Sequence, residues 1–183
     1  MSHLIYDAGF SPVYRHLGAS AGIFLLNDPF FTAWRPGLAC YGFTPFLNGD
    51  HKHRLRPALT IISTVVGLHR IETGQTIGYD GLFQTTKPTT IATLPFGYYE
   101  GLDRRLLNNW IVQWKDQFFP VVGRISMNYM TVDAGDAPVQ HGDEMILISS
   151  HLSSPNNRYA YADSCGTIVY EPLIHTNIKR IVI

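Results

Sequence analysis

Residues 58–183 predict a mainly β fold, closed into a barrel or stacked as a sandwich. Three observations lead there. Short β-branched and apolar runs recur from Ala58 onward, turn residues separate them at short intervals, and 16 glycines and 11 prolines punctuate the chain. Such runs suit a pleated, half-buried surface.

Taken in order, residues 1–44 are the least regular part. Ala19-Ser20-Ala21-Gly22 reads as a turn or helix start, and Ile23-Phe24-Leu25-Leu26 as a short buried run closed by Asn27-Asp28-Pro29. Trp34-Arg35-Pro36-Gly37 forms a turn leading into an apolar strand, Leu38-Ala39-Cys40-Tyr41, expected inside a sheet covered on both faces. Residues 45–57, polar and basic around Asn48-Gly49-Asp50, read as a linker. The β region then opens with Leu59 to Val66. It continues through Ile91 to Leu94, Ile111 to Trp114, Val121-Val122, Met130 to Val132 and Met145 to Ile148. Glu72-Thr73-Gly74, Lys87-Pro88, Asp133-Ala134-Gly135-Asp136 and His141-Gly142-Asp143 mark the turns. Asn157 to Cys165 is expected as one short helix before a closing segment, Ile178 to Ile183.

Composition narrows the function classes. Fourteen basic and 14 acidic residues give zero net charge, and the basic ones form no single run. Nucleic acid and acidic membrane surfaces are therefore not the expected partners. No apolar run reaches membrane-span length and the first residues lack a leader pattern, so the expected location is cytoplasmic. Cys40 and Cys165 leave room for at most one disulfide and have no metal-ligand spacing. His51 and His53, beside Asp50, Lys52 and Arg54, read as a solvated loop, so no metal is expected.

The chemistry is organised around Gly78 to Asn108. Tyr79 stands between glycines that clear space around its ring, and Tyr98-Tyr99-Glu100-Gly101 precedes Arg104-Arg105. Five segments stand in order around this block: His16-Leu17-Gly18-Ala19-Ser20-Ala21, Arg35-Pro36-Gly37-Leu38-Ala39-Cys40-Tyr41-Gly42, Gly78-Tyr79-Asp80-Gly81, Gly123-Arg124-Ile125-Ser126-Met127-Asn128 and Gly166-Thr167-Ile168-Val169-Tyr170-Glu171. From about His16 to the end, this order resembles the C-terminal half of the bacterial alanine racemases.

That family consists of pyridoxal-phosphate enzymes with an N-terminal (β/α)8 barrel followed by a β domain. The resemblance implies that residues 1–44 are a remnant of the cofactor-binding barrel and 58–183 a barrel-like β domain. It makes Tyr79 one of two catalytic bases, reaching L-alanine across a homodimer interface. Arg35 is similar to the arginine on the cofactor's pyridine nitrogen, and His16 to the histidine behind it. Ser20, the backbone at Gly37 and Leu38, and Tyr170 match phosphate contacts, as hydroxyls and amides are good anion donors. Met127 matches the backbone N–H offered to the substrate carboxylate. Tyr98, Arg104 and Arg124 match an entry corridor for a small amino acid.

The chain departs from the family pattern at Ala19, where asparagine is usual, at Asn128, where aspartate is usual, and at Glu100, where aspartate is common. Nothing resembles the N-terminal motif of the second base, a lysine that bonds the cofactor; the lysines here are Lys52, Lys87, Lys115 and Lys179. The chain alone is therefore expected to bind no pyridoxal phosphate and to be inactive. Three readings stay open: a truncated C-terminal domain of an enzyme that makes D-alanine for peptidoglycan, one chain of a split racemase whose partner supplies the barrel and lysine, or a non-catalytic binding module. Alanine and serine are both open as substrates.

Overall fold

From Ile61 to Ile71 the backbone is one extended run bent at Val65-Val66, and it supplies both ends of a seven-stranded antiparallel sheet. The computed structural model describes residues 2–46 and 55–177; the expected closing segment, most of the linker, His51 and His53 lie outside them. The strands are β1 (Ile61–Thr64), β2 (Gly67–Ile71), β3 (Thr76–Ile77), β4 (Phe83–Gln84), β5 (Thr89–Leu94), β6 (Ile111–Trp114), β7 (Gln117–Val122), β8 (Met130–Gly135) and β9 (Glu144–Ile148). Spatial order in the large sheet is β1-β9-β6-β7-β8-β5-β2, while β3 and β4 form a small hairpin.

Closure follows from the order. The terminal strands β1 and β2 are joined by two residues: Val65 N donates to Asp143 O and Val66 N to Thr93 O, both at 2.9 Å. The chain thus crosses from pairing with β9 to pairing with β5 at one corner. β7 makes the other corner, pairing with β6 through Gln117–Pro120 and with β8 through Val121-Val122. Register shifts at Ile61/Ile62 and Thr90/Ile91 add curvature. Each terminal strand still pairs on one side only, β1 with β9 and β2 with β5, so the bend at Val65-Val66 joins two edges rather than pairing them.

Alternation decides which side chains turn inward. β8 buries Met130, Val132 and Ala134, β9 buries Met145, Leu147 and Ile148, and Val112, Val121, Ala92 and Leu94 join them in the interior. Each large apolar side chain so buried is worth roughly 1.5–3 kcal/mol. Helix α3 (Arg158–Cys165) covers part of this core with Tyr161 and Cys165. Asn157 Oδ1 caps it, accepting from Tyr159 N and Ala160 N, and Gly166 at φ +63° ends it. A second short helix, α4 (Tyr170–His175), follows; it is numbered after α1 (Ser2–Asp7) and α2 (Ser20–Leu25) of the N-terminal part.

The chain divides into two compact units, Met1–Ala58 and Leu59–Ile183. Within the first, two expectations need correction. Leu38–Tyr41 is a turn of 3₁₀ helix, not a strand. Gly42 ends it at φ +81°, with Gly42 N donating to Ala39 O, so the apolar run winds up rather than extending. The run Ile23–Leu26 is not buried either: Ile23, Leu25 and Leu26 are exposed on and after α2, because among the described residues of this unit no strand forms to pack on them.

One buried group works against stability. Arg158 is 1% exposed, and its Nε and Nη2 find no partner among the described residues; Nη1 donates to Pro172 O (2.7 Å) and Thr176 Oγ1 (3.3 Å). Burial pushes the guanidinium down to about 10, a cost on the order of 3 kcal/mol at neutral pH. Arg158→Met is expected to stabilise the β unit by ~1–3 kcal/mol, since Pro172 O keeps its bond from Thr176 Oγ1. Below about 10 the group is protonated in both folded and unfolded chains, so the gain should be flat from about pH 5 to 9. Thermal unfolding of the pair of proteins measures it; a lowered midpoint would contradict the expectation.

Candidate functional site

Three loops of the β unit carry five of the expected site residues, Tyr79, Arg124, Met127, Tyr98 and Arg104, and backbone contacts interlock them. The first is the turn Gly78–Gly81 between β3 and β4. Asp80 adopts φ +63°, and Tyr79 beside it is 69% exposed. This turn sits on the loop after β7: a Cβ on Gly78 would lie 2.9 Å from Arg124 N, and one on Gly123 3.0 Å from Ile77 O. Arg124 Nη2 completes the joint by pairing with Asp80 Oδ2 at 2.7 Å. Tyr79 and Arg124 are therefore brought together through Asp80.

The second loop, residues 124–129, is held tightly by Ser126. Its Oγ accepts from Tyr129 N (3.1 Å) and donates to Tyr129 O (2.9 Å). Met127 stands at the apex with its side chain exposed, and among the described residues nothing accepts from its N–H. The third loop begins at Gly97, where a Cβ would overlap Ser126 O and Met127 O. Tyr98 N donates to Ser126 O (3.1 Å) and Tyr99 N to Met127 O (2.9 Å), so Tyr98 and Met127 are also brought together. The Arg104 guanidinium lies over the Tyr98 ring, 5.6 Å from its centroid.

Behind this third loop lies a cleft of about 370 Å³ lined by Tyr98, Arg104, Thr167, Glu171 and His175 among others. Tyr161 braces its floor, accepting from Asp103 N (2.8 Å) and donating to Gly101 O (3.3 Å). Asp103 is held below the usual carboxylate range, first by its side-chain hydrogen bonds with Arg105. Cys165 is no nucleophile, since burial pushes its thiol up to about 12. It and Cys40 are both free thiols. Tyr170, at the start of α4, is partly exposed, and no contact ties it to Tyr79 among the described residues.

The remaining expected residues lie in the N-terminal unit. Ser20 is buried at the start of α2, where its Oγ accepts from Gly37 N (3.0 Å) and Ala39 N (3.1 Å). This brings Ser20 to the Gly37-Leu38 turn. The hydroxyl proton of Ser20 and the Leu38 N–H remain as donors without an acceptor among the described residues. Space above Gly37 is open, as a Cβ there would meet nothing within 4 Å. A hydroxyl, an amide and open backbone suit a phosphate ester. Arg35 is exposed and donates from Nη2 to Leu17 O at 3.1 Å, leaving most of its donors available. His16 is exposed, and no hydrogen bond links it to Arg35 among the described residues. These groups fit the phosphate and ring-nitrogen ends of pyridoxal phosphate. An amine for its aldehyde is not among them.

Sequence reading missed what four residues do. Asp80 was visible only as part of the tyrosine turn, and its partner lies across the fold. Glu100 and Asn128 were visible as separate departures, not as a pair. No signal marked Arg158, since an arginine in the first turn of a short helix ordinarily points to water.

Comparison with known proteins bears on the family and the fold. Residues 58–182 match the family model described as alanine racemase, C-terminal domain. The alanine racemase of Syntrophobacter fumaroxidans is 38% identical over 169 residues, covering 92% of this chain and 44% of the relative. That of Salinispora arenicola is 33% identical, covering 97% and 47%. Among solved structures, the alanine racemase from Bartonella henselae with covalently bound pyridoxal phosphate superposes with a TM-score of 0.84 at 32% identity, covering 99% of this chain and 50% of that one. The enzyme from Streptomyces lavendulae gives 0.87 at 26% identity. The chain spans about half the length of the relatives it matches. No helix among the described residues is long and apolar enough to cross a membrane. With its β unit matched from end to end and its tyrosine turn docked on the arginine loop, the chain belongs to the alanine racemase family, of which residues 58–182 are the C-terminal domain.

Proposed function

We propose that this chain supplies the tyrosine-bearing half of an alanine racemase site, interconverting L- and D-alanine once a barrel with the second base is present. One observation carries the reading: three interlocked loops hold Tyr79, Arg124, Met127, Tyr98 and Arg104 in one connected series within the matched domain. In this reading Tyr79 Oη gives and takes the α-proton on one face of the amino acid. The Met127 N–H holds its carboxylate, while Arg104 and Arg124 attract that carboxylate between walls set by Tyr98. Ser20, Gly37-Leu38 and Tyr170 would hold the phosphate of pyridoxal phosphate, and Arg35 its ring nitrogen. An arginine there keeps its own proton, so it donates to that nitrogen rather than protonating it. When bound, the cofactor supplies a conjugated ring that withdraws electrons from the α-carbon.

Partner requirements follow. Ile23, Leu25 and Leu26 expose an apolar face on the N-terminal unit, which supports a covering barrel supplied by another polypeptide or a longer form of this one. The D-alanine product would serve peptidoglycan synthesis, and the site would lie in the cytoplasm. Alone, the 183-residue chain is expected to retain no pyridoxal phosphate after borohydride treatment and dialysis, because no lysine stands in the family's N-terminal motif and the two described lysines, Lys87 between β4 and β5 and Lys115 in the β6–β7 turn, lie outside the N-terminal unit that holds Ser20 and Arg35. Adding a barrel fragment that carries the lysine should yield both a reducible cofactor band and alanine racemisation. A pyridoxyl group found by mass spectrometry on a lysine of the chain alone would contradict the first expectation. No racemisation by a folded, cofactor-loaded pair would contradict the function.

A further inference from the structure

The cleft behind the third loop carries charges beyond those the proposed racemase chemistry uses. Its volume, about 370 Å³, lies in the range of small-molecule sites, and Arg104, Tyr161, Thr167, Glu171, Pro172 and His175 are among its lining. Tyr79 and Met127 are not. All its lining residues belong to the unit Leu59–Ile183. The charged groups around it do not cancel in place. Asp103 is engaged by Arg105, accepting from its backbone N–H, Nε and Nη2. Arg104 has no carboxylate partner among the described residues and lies against the Tyr98 ring. Glu171 Oε2 accepts from Thr167 Oγ1, which leaves Oε1 without a donor among the described residues. An open cation and an open anion thus reach one cleft from different elements, Arg104 from the turn after the third loop and Glu171 from α4.

Behind the wall stands Arg158. It is 1% exposed, its Nη1 donates to Pro172 O at 2.7 Å, and its guanidinium carbon lies 5.9 Å from the Tyr161 ring centroid. Both of those neighbours line the cleft. No carboxylate pairs with Arg158 among the described residues. A cation held in a low-dielectric interior acts on a nearby charge far more strongly than one in water. The wall that Arg158 backs therefore attracts a negative group.

We propose that this cleft is a second amino-acid site, binding a small zwitterion such as alanine with its carboxylate on Arg104, its ammonium on Glu171 Oε1 and the buried Arg158 strengthening the hold on the carboxylate from behind. Both direct contacts are charge-assisted hydrogen bonds, the strong kind. A dianion would meet Glu171, and a simple amine would meet Arg104 and the field of Arg158, so the cleft selects molecules that carry both charges. The unfavourable burial of Arg158 then has a use, since its field acts on a ligand that it does not touch. With Tyr79 and Met127 outside, an amino acid here is held without being offered a base. The racemase reading is not a premise; the two sites have Arg104 and Tyr98 in common.

Backbone amide shifts of the chain alone, followed by NMR at residues 101–104 and 167–175, test this with three probes: alanine, propionate for the carboxylate by itself and ethylammonium for the amine by itself. Alanine should shift these amides saturably and bind at least about tenfold tighter than either fragment. Glu171→Gln should weaken alanine at least about tenfold yet tighten propionate, because the acid that repels it is gone. Arg158→Met should weaken alanine and propionate alike, at least about threefold, while the thermal midpoint rises, a combination that a loosened fold does not give. Absence of saturable shifts at these residues overturns the proposal, and shifts confined to residues 124–129 do so too by placing alanine at Met127. Equal weakening of alanine and propionate in Glu171→Gln would mean local distortion and overturns the ammonium contact. Unchanged affinity in Arg158→Met overturns the part given to the buried cation. Racemisation by the barrel-complemented complex, or its absence, bears on the reaction site alone.

Discussion

Tyr79→Phe is expected to slow loss of the α-proton from L-alanine by ~10²–10⁴-fold in a complex with a lysine-bearing barrel, the range typical of a general acid–base group. Exchange from D-alanine should be affected far less, because the lysine serves the other face. The substitution isolates chemistry from folding. Tyr79 is 69% exposed, its turn is held by Asp80 and the Gly78 and Gly123 backbones, and none of those contacts involves the phenol oxygen. Stability should therefore stay within about 0.5 kcal/mol, as for other surface substitutions. Solvent deuterium uptake at the α-carbon, followed separately from each enantiomer, measures both faces. Exchange from L-alanine at more than about a third of the unaltered rate would make Tyr79 an ordinary surface aromatic.

Much of the β unit was legible before any coordinates, for a simple reason. Runs such as Thr89 to Leu94 and Met130 to Gly135 satisfy local propensity and two-residue alternation at once, and Gly-Asp or Lys-Pro turns bound them, so local and tertiary preferences agree. The N-terminal unit defeated the same reasoning. Leu38-Ala39-Cys40-Tyr41 has strand composition, but a short apolar run has no intrinsic conformation of its own. With no described strand beside it and with Ser20 Oγ binding Gly37 N and Ala39 N, it winds into a 3₁₀ turn. The site divides in the same way. Tyr79, Arg124, Met127, Tyr98 and Arg104 stood out as candidates from short motifs because each belongs to a contiguous stretch. The contacts that join their loops did not stand out: Asp80 meets Arg124, and Glu100 meets Asn128, only because the folded loops bring distant positions together. Pairings of that kind carry no periodic signal.

Trp110→Ala is expected to destabilise the β unit by ~3–5 kcal/mol, the usual cost of deleting a buried tryptophan. Trp110 is 4% exposed, its ring meets Tyr161 edge-on at 5.3 Å between centroids, and its indole N–H donates to Leu147 O at 3.1 Å. The effect should reach the site as well as the core. Tyr161 accepts from Asp103 N and donates to Gly101 O, so loss of the indole frees the phenol that braces the loop bearing Tyr98 and Arg104. Urea unfolding should show a lower midpoint with an unchanged slope, and amide exchange at Asp103 should quicken well before global unfolding. Trp110→Phe separates the two contributions: it keeps most of the ring contact but leaves Leu147 O without that donor, for a cost of roughly 1–3 kcal/mol. A Trp110→Ala cost under about 1 kcal/mol would mean that the core collapses around the gap. Quickened exchange at Asp103 in Trp110→Ala but not in Trp110→Phe would assign the bracing of the loop to ring packing. Equal quickening in both would assign it to the strand β9 carbonyl and the barrel wall behind it.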